Sequence, residues 1–424
     1  MRNWAGNVVY STDEIRHPGT VEELQHIVRN ARAVRAVGTG HSFSTVADTT
    51  GVLVSTRNVR PPVEVHEERA VAVVPGGSTY AEVCAVLHDR GWALHNLGSL
   101  PHISVAGACS TGTHGSGSAN GCLASAVTGV ELVRADGELL EVHEDHPDFR
   151  GMVLSLGALG VITRLWLRLE PSYDVSQEVL LGVPLPRAVE QTAEILDSAY
   201  SVSIFTSFGD PGTIDSVWRK HRLDPGRATP RHESTWGGHP AREPVHPIPG
   251  LDPSAATEQL GRPGPWHHRL PSFRPEFTPS SGDELQSEFF LPREYAGEVL
   301  AMLGERASAF AGALQVFEMR TVAADDLWLS PFHDRDTVAV HTTWVRDLET
   351  VRPALAALEA ALEPYDPRPH WAKIFLGFDA TRIAGSYPAL PRFRDLAERL
   401  DPERRFSNAY LERLGVRQSR HDVL

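Results

Sequence analysis

The chain has 424 residues, 41% of them hydrophobic and 22% charged, which suits a soluble globular protein of two domains rather than a single core. Its formal net charge of −14 excludes nucleic acid and anionic membrane as partners, because both select a basic surface. Three cysteines without CxxC spacing exclude a disulfide framework, and the sequence shows neither an apolar leader nor a membrane-length apolar run, so a cytoplasmic protein is expected.

Residues 1–170 read as a compact α/β unit. TVEELQHIVRNARA opens with a capping box, Thr20 with Glu23, and puts Val21, Leu24, Val28 and Ala31 on one helical face. VRAVG follows as a short buried strand. A second box, Thr79 with Glu82, starts STYAEVCAVLHDRG, and Gly91 is its stop. GVELVRADGELLEVH is two strands around Asp136-Gly137, a hairpin signal, and VITRLWLRLEP alternates until Pro171. Helices mixed with paired strands predict an α+β layer rather than a doubly wound sheet.

Between Pro225 and Pro279 stand twelve prolines with little periodicity, yet Trp236, Trp266, Phe273 and Phe277 are scattered among them. Those aromatics predict an ordered, loop-rich excursion packed on a domain surface. Four strand-like runs come next: ELQSEFFLP, LQVFEMRTV, TVAVHTTWV and HWAKIFLG, with helical stretches at 293–309 and 349–363. They predict a second α+β domain over 171–375. A tail, 376–424, carries one more helix in LPRFRDLAERL and then an aromatic-flanked segment.

The glycines carry the first chemical signal. AVGTGHSFS has Phe43 where a dinucleotide fingerprint needs glycine, and the run from Gly112 has Ser118 where a P-loop needs lysine, so both motifs fail. SVAGACSTGTHGSGSANG nevertheless exposes many backbone N–H groups beside few side chains. The two stretches read as halves of one cradle for a large phosphorylated cofactor. His41, directly behind the first turn, is then a hydrogen-bonding residue, a metal ligand or a nucleophile toward the cofactor. No H-E-x-x-H or short-spaced His/Cys cluster supports a metal, and none is predicted.

VGTGHSF, GSLPHISVAGACSTGTHGSG, SLGALGVIT and FSNAY together resemble the flavin domain of the vanillyl-alcohol-oxidase superfamily, and TVAADDLWLSP, HTTW and HWAK resemble its alditol oxidases, also called xylitol or sorbitol oxidases. The resemblance runs from Asn3 to about Leu414. It implies an α+β protein with a two-part FAD-binding domain (1–170, with 376–424 returning to it) and a substrate (cap) domain with an antiparallel sheet (171–375). It implies FAD held covalently through His41. Val37, Gly38, Thr39, Gly40, His41 and Ser42, with Ala36 at their edge, and Thr111, Gly112, Thr113 and His114 would cradle the pyrophosphate; Ser99, Ser104, Gly107 and Ile162 would complete the site.

The late strands add their own argument. Glu318 and Arg320 are two apart and so share a side, as do His341 with Thr343 and Gln286 with Glu288, while Phe317 and Met319 point to the core. Lys373 follows in the last run. Such a polar face suits a polyhydroxylated substrate, whose hydroxyls need fixed partners on burial. His341 and Lys373 are the candidates for proton transfer, with Lys373 expected to keep His341 neutral by repulsion. Glu318, Arg320, Thr343, Gln286, Ser99 and Lys373 would bind substrate. The sequence therefore predicts an FAD-dependent oxidase that converts the terminal CH2OH of an alditol to an aldehyde and O2 to H2O2, and a monomer. An aldonolactone oxidoreductase and a non-catalytic sugar-binding relative are the competing readings.

Overall fold

The computed structural model describes residues 1–226, 234–277 and 283–418. Pro230 and Pro279 of the proline-rich stretch lie outside them.

The first α/β unit holds two larger sheets and an antiparallel pairing of Trp92–Ala93 with Glu170–Pro171. A small parallel one orders Ile15–Arg16, Val52–Val54 and Val34–Ala36. A five-stranded antiparallel one orders Glu64–His66, Val71–Pro75, Val161–Arg168, Val127–Val133 and Leu139–His143. Helix Val21–Asn30 begins where Thr20 accepts from the Glu23 N–H, but Glu23 reaches back to Gly19 N–H rather than to Thr20, so the box closes one residue early. Thr79 and Glu82 make both reciprocal bonds at Tyr80–Asp89. The hairpin turn at Gly137 uses a φ of +81°, which glycine adopts without cost. Leu24 and Val28 bury fully against Val34, Val54 and Phe406, each contributing about 1.5–3 kcal/mol. Phe406 comes from the tail, where Arg405 donates to the Val28, Arg29 and Ala31 carbonyls and Asn408 to those of Val46 and Asp48.

A nine-stranded antiparallel sheet forms the second layer. Its order is His239–Pro240, Asp174–Pro184, Thr213–Leu223, Ser201–Thr206, Leu314–Val322, Thr337–Val345, Glu284–Pro292 and Arg368–Pro369, with Pro263–Pro265 pairing onto Asp174–Pro184. One face carries Phe289, Phe317, Met319 and Val340 into a core shared with helices Ala296–Glu305 and Leu348–Leu362. The other face is polar and lies against the glycine segments. Gly117 N–H donates to Thr321 O and Ala323 N–H to Asn120 O, which fastens the two layers together.

Two expectations change. HWAKIFLG is not a strand: after Arg368–Pro369 the chain turns, with the His370 Nδ1 accepting from Ala372 N–H. Its carbonyls are taken elsewhere, Trp371 O by Ser44 Oγ and Tyr410 Oη, and Ala372 O by the N–H groups of Phe43 and Ser44. Among the strands that carried no clear pattern are three long ones of this sheet, at Asp174–Pro184, Ser201–Thr206 and Thr213–Leu223. Both their faces are buried, and Gln177, Arg219, Lys220 and His221 sit among the apolar residues, which erases the period-two signal.

The proline-rich excursion packs on this sheet as predicted, with Trp236, Trp266 and Phe273 buried, while Phe277 is exposed. Among the described residues no helix is long and apolar enough to cross a membrane.

Candidate active site

A cleft opens between the glycine segments and the polar sheet face. Val37, Gly38, Thr39, Gly40, His41 and Ser42 line one end, with Ser99, Ser104, Gly107, Thr111, Thr113 and His114 beside them. Gln286, Glu318, Arg320, His341, Thr343 and Lys373 line the other. Ala36, Gly112 and Ile162 stand outside its wall. Gly112 is the left-handed end of helix Val105–Thr111, against Pro331.

The glycine end fits a flat, acceptor-rich ligand. A Cβ on Gly38 would lie 2.2 Å from Ser104 Oγ, and one on Gly107 2.7 Å from the same atom, so both positions require glycine as Ser104 is placed. Buried backbone N–H groups are almost always paired in folded proteins, and those of residues open to a cleft are left to solvent or a ligand. Those of residues 38–42 have no acceptor among the described residues, while Val37 and Phe43 on either side are paired. A pyrophosphate would offer such acceptors. Burial, with the nearby His102, lowers the His41 pKa to about 4, so its imidazole is neutral.

The sheet end is laid out by strand register. Phe205, Glu318, His341 and Glu288 form one cross-strand row, and Val316, Thr343 and Gln286 the next. The turn after Arg368–Pro369 adds its own side chains, because His370 N–H donates to Glu288 O and Ile374 N–H to Gln286 O.

Glu288 is the hub. Its Oε1 accepts from Arg320 Nη2 at 2.7 Å and lies 3.1 Å from His114 Nε2; its Oε2 lies 2.8 Å from Lys373 Nζ. Burial alone would raise its pKa, but the charges of Lys373, His114 and Arg320 outweigh burial and hold it well below the usual carboxylate range. Arg320 also reaches Glu318 Oε2 at 3.5 Å and Ser99 Oγ at 3.4 Å. His341 Nε2 bonds Gln286 Oε1 at 3.2 Å, and Gln286 Nε2 donates to Glu284 at 2.5 Å. Burial first, and Lys373 second, push the His341 pKa well below 6.5. The repulsion expected from Lys373 is thus present but secondary. Lys373 itself is lowered by burial, against the pull of Glu288.

Sequence reasoning left out three parts of this site. Parity puts Glu288 on the polar face with Gln286, yet no role was assigned to it. His370, 4% exposed and beside His114, lies in the HWAK run already noticed. Phe205, Ile248, Val316 and Phe273 give the cleft an apolar flank that no local pattern announced. His114, Glu288 and His370 also converge within metal-ligand spacing. Lys373 and Arg320 already neutralise that carboxylate, and a divalent cation would face both of their charges.

Comparison with known proteins agrees with this layout. Residues 13–143 match the FAD binding domain family model and residues 283–414 that of D-arabinono-1,4-lactone oxidase. The chain is 46% identical to an alditol oxidase of Streptomyces sp. strain IKD472 over 98% of each chain. It is 28% identical to the L-gulono-1,4-lactone dehydrogenase of Mycobacterium tuberculosis, over 97% of this chain and 98% of that one. In three dimensions it resembles the cholesterol oxidase of B. sterolicum, with a TM-score of 0.76 at 14% identity over 97% and 96% of the two chains. That likeness carries the fold alone.

Proposed function

The chain belongs to the family of FAD-dependent alditol oxidases, and from that premise we propose that it oxidises the terminal primary hydroxyl of xylitol- or sorbitol-type substrates to an aldehyde, releasing H2O2. The observation that carries the reading is the buried row of Glu318, His341 and Glu288, with Arg320 and Lys373, at the end of a cleft whose other end fits FAD.

FAD, when bound, supplies the hydride acceptor. The residues of this chain do the rest. Residues 37–42, Thr111, Thr113 and His114, with Ser99, Ser104 and Gly107, hold the cofactor, and His41 is its covalent attachment point. Gln286, Glu318, Arg320, Thr343 and Ser99 bind successive substrate hydroxyls. Each of these groups is hydrogen-bonding and partly or wholly buried, so a polyol replaces water with fixed partners, whereas an alkane chain would strand them. His341 is neutral and can accept the hydroxyl proton. Lys373, a cation beside it, stabilises developing negative charge on the substrate oxygen. Glu288 keeps the Lys373 and Arg320 charges compensated, so that the buried cluster costs less than isolated ions would. Phe205, Ile248 and Phe273 exclude water from one flank.

The three cysteines are buried and unpaired, which suits a reducing compartment, and we place the enzyme in the cytoplasm as a monomer. A lactone substrate is the second reading, favoured by the match of residues 283–414. Turnover of xylitol and of gulono-1,4-lactone with H2O2 detection separates the two. Faster turnover of the lactone would overturn the alditol reading.

A further inference from the structure

The first residues of the chain are built onto the turn that carries His41. Trp4 N–H donates to Gly40 O at 2.8 Å, Asn3 Nδ2 to Ser42 O at 2.9 Å, and Asn7 Nδ2 to Phe43 O at 2.9 Å. Asn3 and Asn7 are joined at 2.7 Å, and Asn3 Oδ1 accepts from Val8 N–H. Residues 3–8 therefore form a closed strap whose donors go to three of the four carbonyls between 40 and 43. On that base the Trp4 indole lies over the His41 imidazole, with ring centroids 5.0 Å apart and planes 29° apart, and it meets Phe43 edge-on at 6.3 Å. Trp4 is only half-buried and lines the cleft. The indole packs against the edge of the main core, and the imidazole is the ring its plane is aligned with.

We propose that Trp4 is a positioning residue that fixes the plane of the His41 imidazole for its bond to the flavin, an inference that rests on His41 being the attachment residue. The reaction joins an imidazole nitrogen to the carbon of a ring methyl group. Imidazole and methyl each lose one hydrogen, and the electron pair passes to O2, the acceptor this oxidase already uses, which becomes H2O2. A neutral imidazole keeps a lone pair for that bond, which burial of His41 ensures. Holding the ring in one plane removes two side-chain rotations from the approach, an effect of orientation rather than of affinity.

The test is made on apoprotein mixed with FAD under air, by following the flavin absorbance that stays with acid-precipitated protein and the total flavin bound before acid. Trp4→Ala should bind flavin yet form the acid-stable product about tenfold more slowly or worse. Trp4→Phe, which keeps a flat ring, should recover most of the rate, and Trp4→Leu, which keeps bulk without a plane, should not. A purely structural role would lower total binding in Trp4→Ala and leave the acid-stable fraction of bound flavin unchanged. That result, or Trp4→Leu matching Trp4→Phe, overturns the proposal. His41→Ala separates the premise: acid-stable flavin in that variant removes His41 as attachment point, whatever the Trp4 variants do.

Discussion

Glu318 and His341 face each other across paired strands, with the carboxylate Oε2 3.6 Å from the imidazole Nδ1. Glu318 Oε1 and His341 Nδ1 are buried without a hydrogen-bond partner among the described residues. A hydroxyl both donates and accepts, so a bound polyol can serve two such groups at once. The pairing register makes the arrangement specific, because a one-residue slip would turn both side chains into the core.

Glu318→Gln should therefore keep the shape and lose the charge-assisted bond to substrate. The expected loss is about 1–3 kcal/mol of transition-state stabilisation, roughly one to two decades in kcat/KM for xylitol. Flavin content should stay at the wild-type level. A variant with wild-type kcat/KM would take Glu318 out of the site.

The charge of Lys373 is one cause of the depressed His341 pKa, after burial. Lys373→Met removes that repulsion and leaves Glu288 less compensated, and both changes favour a protonated imidazole. The His341 pKa should rise, so the acid limb of the kcat/KM profile should move to higher pH. His341→Ala should abolish that limb and slow flavin reduction while the flavin stays bound. An acid limb that does not move in Lys373→Met would mean His341 is not the group that titrates.

The sequence made the two ends of this site legible for different reasons. Gly40 and the hairpin at Asp136-Gly137 are local signals, because the backbone itself demands those residues, whereas Gly38 answers to the distant Ser104 side chain. The polar face was legible from parity within single strands, as with Glu318 and Arg320. The row from Phe205 through Glu318 and His341 to Glu288 was not, since it is made by register between strands up to 113 residues apart in sequence. Lys373 was found as a residue but misplaced on a strand. Its turn exists because Phe43, Ser44 and Tyr410, all distant in sequence, take the carbonyls of Trp371 and Ala372. Trp4 carried no signal by itself; only its contact with His41 gives it meaning.

Lys220 offers a stability test. Its Nζ donates to Leu270 O at 2.5 Å and Pro271 O at 3.2 Å, anchoring the segment that presents Ser272 and Phe273 to the cleft. Burial lowers its pKa to about 7, with Glu318 opposing and Arg320 adding to the shift. The unfolded chain holds this proton up to about pH 10.4, so between those values it binds more protons than the folded chain. The contribution of Lys220 to stability thus rises with pH across that window, and the burial penalty is fully felt below it. Lys220→Met lacks the penalty at every pH. The difference in Tm, variant minus wild type, should be most positive near about pH 6 and fall steadily toward about pH 10. A difference that does not change with pH would show that Lys220 stays charged when folded.

Gly98 offers a test of oxygen access. A Cβ there would lie 3.4 Å from Thr113 Cγ2, 3.6 Å from His114 O and 3.8 Å from Ile103 Cδ1, and all three residues line the cleft. These are ordinary contacts and the backbone φ of Gly98 is not in the left-handed region, so alanine fits without strain. A valine would add two methyl groups where the first carbon already touches three neighbours, which costs about 1–3 kcal/mol of overpacking. Gly98→Ala is thus the variant that adds a methyl group behind the cleft wall, against Thr113 and His114, without disturbing the fold. It should slow the oxidative half-reaction with O2 and leave anaerobic reduction by xylitol nearly unchanged, as read by stopped-flow absorbance of each half-reaction. Gly98→Val should slow both, the second through strain on Thr113 and the adjoining cradle. If Gly98→Ala reoxidises at the wild-type rate, oxygen does not pass this point, and the glycine serves only the turn that leads from Leu97 to Ser99.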